Sequence, residues 1–260
     1  CPISVRDRAR QEVVREALAT PLERAVGASA VYSDVGFIVL GEIVAMAAER
    51  RLDETFEERI CERLGLALHF RRLSRRNPQP DNIAPTGKTR PREPAPGQEG
   101  LWTAPTPRPS EVGEVDDDNS WAMDGVAGHA GLFGTALDVA RFGQAVLAEL
   151  QDATKLAPRS LWERLVFKDA KTPGTSRAMG FDTPSGTTDA PSSAGRYLGQ
   201  KPPGAVGHLG FTGGSLWIDL HHQLVVVLLS NRTFPGRSNL GIREFRPKFH
   251  DAVFNCLELA

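Results

Sequence analysis

The 260-residue chain is long enough to bury a sizeable core, as one large domain or two modest ones. Charged residues make up 24% of it and the formal net charge is −1, a balance that gives no electrostatic basis for binding nucleic acid or an acidic membrane surface. Three widely spaced cysteines do not make a disulfide framework, and the longest aliphatic run, Leu224 to Leu229, is too short to span a bilayer.

Residues 9 to 26 read as a helix and its exit, followed by a turn around Gly27. In "VYSDVGFIVLGEIV", Ser33 or Asp34 can cap a helix by accepting from a first-turn N–H. Phe37, Leu40, Ile43, Val44 and Ala47 recur behind that cap at helical spacing, which predicts a buried face and a helix running to about Arg51. Phe56, Ile60 and Leu64 predict a second amphipathic helix. From 71 to 118 the pattern dissolves. Nine of the 19 prolines fall between Pro78 and Pro109, which predicts a long irregular loop. It opens on "RRLSRR" and closes on "DDD", which read as solvated charge or as mutually attracting clusters.

Order returns with Thr135 as the cap of a helix carrying Val139, Phe142, Val146 and Leu147, and "SLWERLVF" after Pro158 predicts another. Three strands follow: "RAMGFDT", "GAVGHLGFTGGSLWIDL" and "QLVVVLLSNRT". Residues 207–219 and 223–232 are expected as adjacent antiparallel strands joined at an exposed His221-His222 turn. The helix "IREFRPKFHDAVFNCLEL" should pack on that sheet, with His250 a surface or packing residue. The expected class is α+β, an antiparallel sheet flanked by helices plus a mainly helical lobe. A single domain over 1–260 would comprise a helical lobe at 1–165, with its proline-rich loop at 71–118, and a sheet portion at 166–260.

Most short motifs fail on chemistry. "PTGKT" at 85–89 has Asn82 where a phosphate loop needs glycine, and no His/Cys set has metal-ligand spacing. A GxSxG elbow is absent. "GHLGFTGGSLWID" is more informative. Glycines in a strand mark a close approach of a ligand or another backbone, although a glycine-rich hairpin with a packed histidine would look the same. "DGVAGHAGLFGT" is a second glycine-rich entry into a helix, or a tight turn.

Taken together, "YSD" at a helix head, "GVAGHAGLFGTALDVARF" and "GHLGFTGGSLWID…LVVVLLSNR" resemble the serine β-lactamase and penicillin-binding-protein-like hydrolases, on the class-C-like esterase and D-alanyl-D-alanine carboxypeptidase branch. The likeness runs from about residue 15 to the end. It implies that Tyr32 is the tyrosine of the family's Tyr-Ser-Asn element, a proton carrier whose phenolate the helix N-terminus favours. His208-Leu209-Gly210 matches His-Thr-Gly, so the resemblance gives His208 a hydrogen-bonding or positive role and the Phe211 N–H an oxyanion-donor role. Asp34, Gly210 and Thr212 complete the implied oxyanion and substrate-binding set. Tyr32 and His208 should then face one cleft, with 125–134 in its wall.

Three positions depart from the pattern. Asp34 replaces the usual Asn and Leu209 the usual Thr, which shifts the expected substrate from a β-lactam or D-alanyl peptide toward an ester or neutral acyl group. No serine in the chain has lysine three residues later. The family's Ser-x-x-Lys nucleophile is therefore expected upstream, and the chain is expected to be a fragment that is inactive as it stands. Cys1 at the first position reads as a fragment start, or as the first residue of a mature lipoprotein. Ser33 is expected to be taken up as a cap. The resemblance implies no cofactor and no metal. The implied partner is a small ester, amide or peptidoglycan-like substrate, with self-association through an exposed sheet edge. The other reading is a non-catalytic member that binds an acyl or peptidoglycan-like ligand. A bacterial cytoplasm or periplasm suits either.

Overall fold

The computed structural model describes residues 5–75, 82–92, 108–153, 155–167, 175, 177–184 and 192–260. Residues 76–81 and 93–107 of the proline-rich loop lie outside them, as does Cys1. Two compact units are present. One takes Cys1–Ala25, Val31–Gly134 and Thr233–Ser238; the other takes Val26–Ala30, Thr135–Arg232 and Asn239–Ala260. Among the described residues no helix is long and apolar enough to cross a membrane.

The first unit is mainly helical: α1 (Val5–Ala19), α2 (Asp34–Ala47), α3 (Leu52–Phe56), a π turn (Glu57–Cys61), α4 (Glu62–Leu64) and α5 (Asp118–Ala122). Two-residue strands β1 (His69–Phe70) and β4 (Leu132–Phe133) pair antiparallel, as do β2 (Thr89–Arg90) and β3 (Arg108–Pro109). Ser33 caps α2 as expected, its Oγ accepting from Gly36 N at 3.3 Å. The buried face of α2 is not the predicted one. Ile38 and Gly41 face inward, Ile38 joining Ala17, Met123 and Ala127, while Phe37, Leu40, Ile43 and Val44 are exposed. The reason is a backbone contact: a Cβ on Gly41 would come 3.0 Å from Gly128 N, and one on Gly128 would come 2.2 Å from Phe37 O. Only the face that carries Gly41 can approach the 124–134 segment this closely.

The acidic run is also unlike its expectation. Asp116 is buried, 3.0 Å from Arg92 Nε and 3.3 Å from Arg237 Nε, and Asp118 receives Arg90 at 2.7 Å and Arg237 at 2.9 Å. Glu114 accepts from Arg108 and from Trp121 Nε1. Asp117 caps α5 through Ser120 N at 2.7 Å and meets His129 Nε2 at the same distance. Charges this enclosed persist only when paired, and here the partners come from distant parts of the chain. Within the basic cluster, Arg72 likewise pairs with the buried Asp124 at 3.0 Å.

In the second unit an antiparallel sheet of β5 (Ala205–Leu209), β6 (Ser215–Asp219) and β7 (Leu224–Leu228), ordered β5-β6-β7, lies between helices. Residues 207–219 are thus not one strand but part of a hairpin, folded at 210–214, where Gly213 takes φ +114°. Most side chains avoid that backbone region. β6 and β7 pair as expected. Alternation splits the sheet's faces. Val206 and Ile218 join Val146, Leu147, Trp162 and Val166 of α6 (Ala136–Glu149) and α7 (Arg159–Val166). Ala205, Trp217 and Val226 join Phe254 of α8 (Ile242–Cys256) on the other face. Thr135 caps α6, accepting from Asp138 N at 3.1 Å. In "RAMGFDT" isolated bridge residues, Ala178 and Asp182, the latter paired with Gly207, replace the predicted strand. His222 is likewise not an exposed turn residue: its ring sits edge-on to Phe254 at 5.4 Å, while the turn is held by Asp219 accepting from His221 N and His222 N.

Candidate active site

Tyr32 and Asp34 belong to the first unit. Tyr32 stands two residues before α2 and is 59% exposed, so its ring is not consumed in the core. The capped N-terminus behind it carries the positive end of the helix dipole. Asp34 is the first residue of α2 and is exposed. Ser33 is engaged as the cap. The glycine-rich 124–134 segment lies against this helix through the Gly41–Gly128 approach.

His208, Gly210, Phe211 and Thr212 belong to the second unit, at the end of β5 and in the turn that follows. His208 Nδ1 is 2.8 Å from Leu209 O, and Nε2 is 3.4 Å from Arg177 Nη1. A carbonyl only accepts and a guanidinium only donates, so the ring donates from Nδ1 and accepts at Nε2. In that arrangement Arg177 brings a positive charge beside the imidazole. Arg177 also lies 3.4 Å from Asp182 Oδ2, beside the bridge that Asp182 makes with Gly207.

The turn itself is gripped by two further arginines. Arg232 Nε donates to Phe211 O at 2.8 Å, its backbone N donates to Thr212 O at 2.8 Å, and its guanidinium lies 4.5 Å from the Phe211 ring centroid. Arg246, from α8, is 7% exposed; its Nη2 donates to Gly210 O at 2.6 Å and Gly214 O at 2.8 Å, and its Nε donates to Gly213 O at 3.2 Å. One helical turn on, His250 is fully buried with Nε2 3.2 Å from Ser215 Oγ. Burial, then the nearby Arg246, push the His250 pKa down to about 4, so its ring is neutral at ordinary pH.

Arg177, Arg232 and Arg246 were not singled out from the sequence. A signal existed for the last: Arg246, His250 and Phe254 recur every four residues and place two polar groups on the inward stripe of an amphipathic helix.

A family model described as Beta-lactamase matches residues 3–246, and the chain belongs to the β-lactamase family. A protein of Escherichia coli (strain K12) named "Putative D-alanyl-D-alanine carboxypeptidase" is 30% identical over 227 residues, covering 82% of this chain and 47% of that protein. An "N-acetylmuramyl-L-alanine amidase" of Bacillus subtilis (strain 168) is 29% identical over 238 residues, covering 86% and 49%. The chain thus spans about half the length of the curated relatives it matches. In fold it is similar to the octameric penicillin-binding protein homologue from Pyrococcus abyssi, with TM-score 0.59, 17% identity, and coverage of 99% of this chain and 49% of that one. The α+β expectation therefore holds, with the β-lactamase and penicillin-binding-protein fold.

Proposed function

We propose that this chain forms part of a serine hydrolase that cleaves an ester or amide through an acyl-enzyme, with Tyr32 as proton carrier and His208 as a hydrogen-bonding group toward the acyl centre. The observation that carries the reading is Tyr32 itself, a tyrosine 59% exposed at the capped head of an apolar helix. The names of the two relatives support a peptidoglycan-like amide as one substrate class. Asp34 and Leu209, which stand where the family pattern has an amide and a hydroxyl, favour an ester or a neutral acyl group.

The acylated serine is not assigned within these 260 residues, because none of their serines has a lysine three positions on. Proton transfer and carbonyl polarisation without a nucleophile leave only residual catalysis. The same observation favours a second reading, a non-catalytic family member that binds an acyl or peptidoglycan-like ligand.

Treating the purified chain with a fluorophosphonate and with a nitrophenyl ester separates these outcomes. The chain alone should show neither a covalent adduct nor a product burst. Fused behind a Ser-x-x-Lys segment of the family, it should be labelled stoichiometrically, and Tyr32→Phe should then slow acylation by about 100-fold or more. Stoichiometric labelling of the unfused chain on one of its own serines would overturn the assignment. Absence of labelling in the fusion, with ligand binding retained, would leave the binding module as the correct reading.

A further inference from the structure

We propose that Arg246 is a positioning residue that orients and polarises the Phe211 N–H through the Gly210–Phe211 peptide. The proposal rests on the reading of that N–H as an oxyanion donor. A trans peptide holds its C=O and the following N–H antiparallel in one plane, and the Gly210–Phe211 bond is trans. The 2.6 Å bond from Arg246 Nη2 to Gly210 O therefore fixes where the Phe211 N–H points, namely away from the guanidinium.

The grip extends through the whole turn. Gly210 O also accepts from Gly213 N at 3.0 Å, and Gly214 O from Gly210 N at 2.8 Å. With Arg232 on Phe211 O and Thr212 O, and Arg246 on the remaining three, each carbonyl from 210 to 214 has a donor. None of these peptide planes can rotate without breaking a bond. An oxyanion donor needs this fixity, since a preorganised N–H does not have to reorient as charge develops. A cationic donor on the Gly210 oxygen also draws electron density from the amide and strengthens the N–H at its other end.

The charge of Arg246 is unusual in its surroundings. Among the described residues no carboxylate lies within ion-pair distance of it, and its acceptors are the neutral carbonyls of this one turn. Buried charges are usually paired with an opposite charge, as the first unit's buried arginines are. Here the positive charge stays uncompensated one peptide away from the donor.

The test is the Phe211 amide resonance in the 260-residue chain, compared with Arg246→Met and Arg246→Lys. In Arg246→Met the Phe211 amide proton should move upfield and its hydrogen exchange should quicken at least tenfold, while the Val146 amide in α6 keeps its shift and protection. Arg246→Lys, with one ammonium in place of the fork, should show the same change at smaller size, and carries the test alone if the methionine variant does not fold. A Phe211 amide that responds no more than Val146 in a folded variant overturns the proposal. Comparing an ester with its thionoester in the fused, active protein tests the underlying reading separately. A normal amide response without an ester preference would remove the oxyanion role and leave the clamp standing. A preference that shrinks about tenfold in Arg246→Met, with KM within twofold, supports both.

Discussion

In the first unit Arg90, Arg92 and Arg237 are enclosed with Glu114, Asp116 and Asp118, ion against ion; in the second, Arg246 is enclosed against the carbonyls of 210–214. Burial opposes the charge in both places. It pulls the Arg90 pKa down to about 10, with Arg92 adding to the effect, and it lowers that of Arg246, with Arg232 adding. The compensation differs. Paired charges cancel, so the first cluster ties residues 82–92 to residues 108–118 and projects little field. Carbonyl dipoles solvate Arg246 without cancelling it, so the second site keeps a net positive charge at a turn. The comparison separates a buried arginine that shapes a loop from one that conditions its chemistry.

The largest effect expected from this contrast is on stability. Arg237→Met leaves Asp116 and Asp118 each short of a partner inside the protein and should cost about 3–5 kcal/mol in urea unfolding. Arg246→Met abandons no carboxylate. Gly210 O and Gly214 O keep their backbone donors and only Gly213 O loses its partner, so the cost should be about 1–3 kcal/mol. Equal losses in the two variants would break the distinction.

The pH dependence comes next. His250 has its folded pKa depressed from 6.5 to about 4, so the unfolded chain binds the extra proton first. Stability is full above about pH 6.5 and falls as pH drops toward 4, by roughly 3 kcal/mol for that interval. Replacing His250 with Gln should flatten this slope in urea titrations from pH 7 to 4. Asp116 has the opposite sign. Burial, against Arg237 and Arg92, raises its carboxyl pKa, so its contribution is fully present below its unfolded value and is lost as pH rises through the folded one. An acid slope that survives in the His250 variant would shift the explanation to carboxylates such as Glu149. Burial raises that group's pKa, but N–H bonds from Ala157, Leu156 and Lys155 outweigh it and lower the net value.

The smallest effect compares neutral contacts across the two units. Ser33→Ala and Thr135→Ala each remove one helix cap and should each cost about 1 kcal/mol in thermal or urea unfolding. A much larger loss for Ser33→Ala would show that the head of α2 depends on more than its cap.

Much of the fold was legible where the signal is local. Caps at Ser33 and Thr135, the β6–β7 pairing and the closing helix were all readable, because a cap, a turn and a two-residue period are properties of neighbouring residues. The misreadings have a common cause. In "DVGFIVLGEIVAMA" apolar residues occur on every side, so periodicity cannot choose the buried face; Gly41 chooses it by admitting Gly128. "DDD" read as solvated because Arg90, Arg92 and Arg237 are remote in sequence. The 207–219 glycines fitted either a strand or a hairpin until the φ of Gly213 was known. At the candidate site Tyr32 and His208 are nominated by the family resemblance, through the order of the motifs. Arg177 and Arg246 were not, since an arginine that donates to a neighbouring ring or to carbonyls carries no spacing rule of its own.

The meeting of Gly41 and Gly128 has a consequence for how this protein can drift in sequence. Main chain touches main chain there, with no side chain between. Neighbouring core residues such as Ile38 and Met123 can change size, and α2 can answer by small adjustments elsewhere, without losing its seat on the 124–134 segment. The placement of Tyr32 is thereby insulated from ordinary side-chain turnover. The constraint is sharpest at Gly128, where a Cβ would come 2.2 Å from Phe37 O and the helix backbone would have to shift.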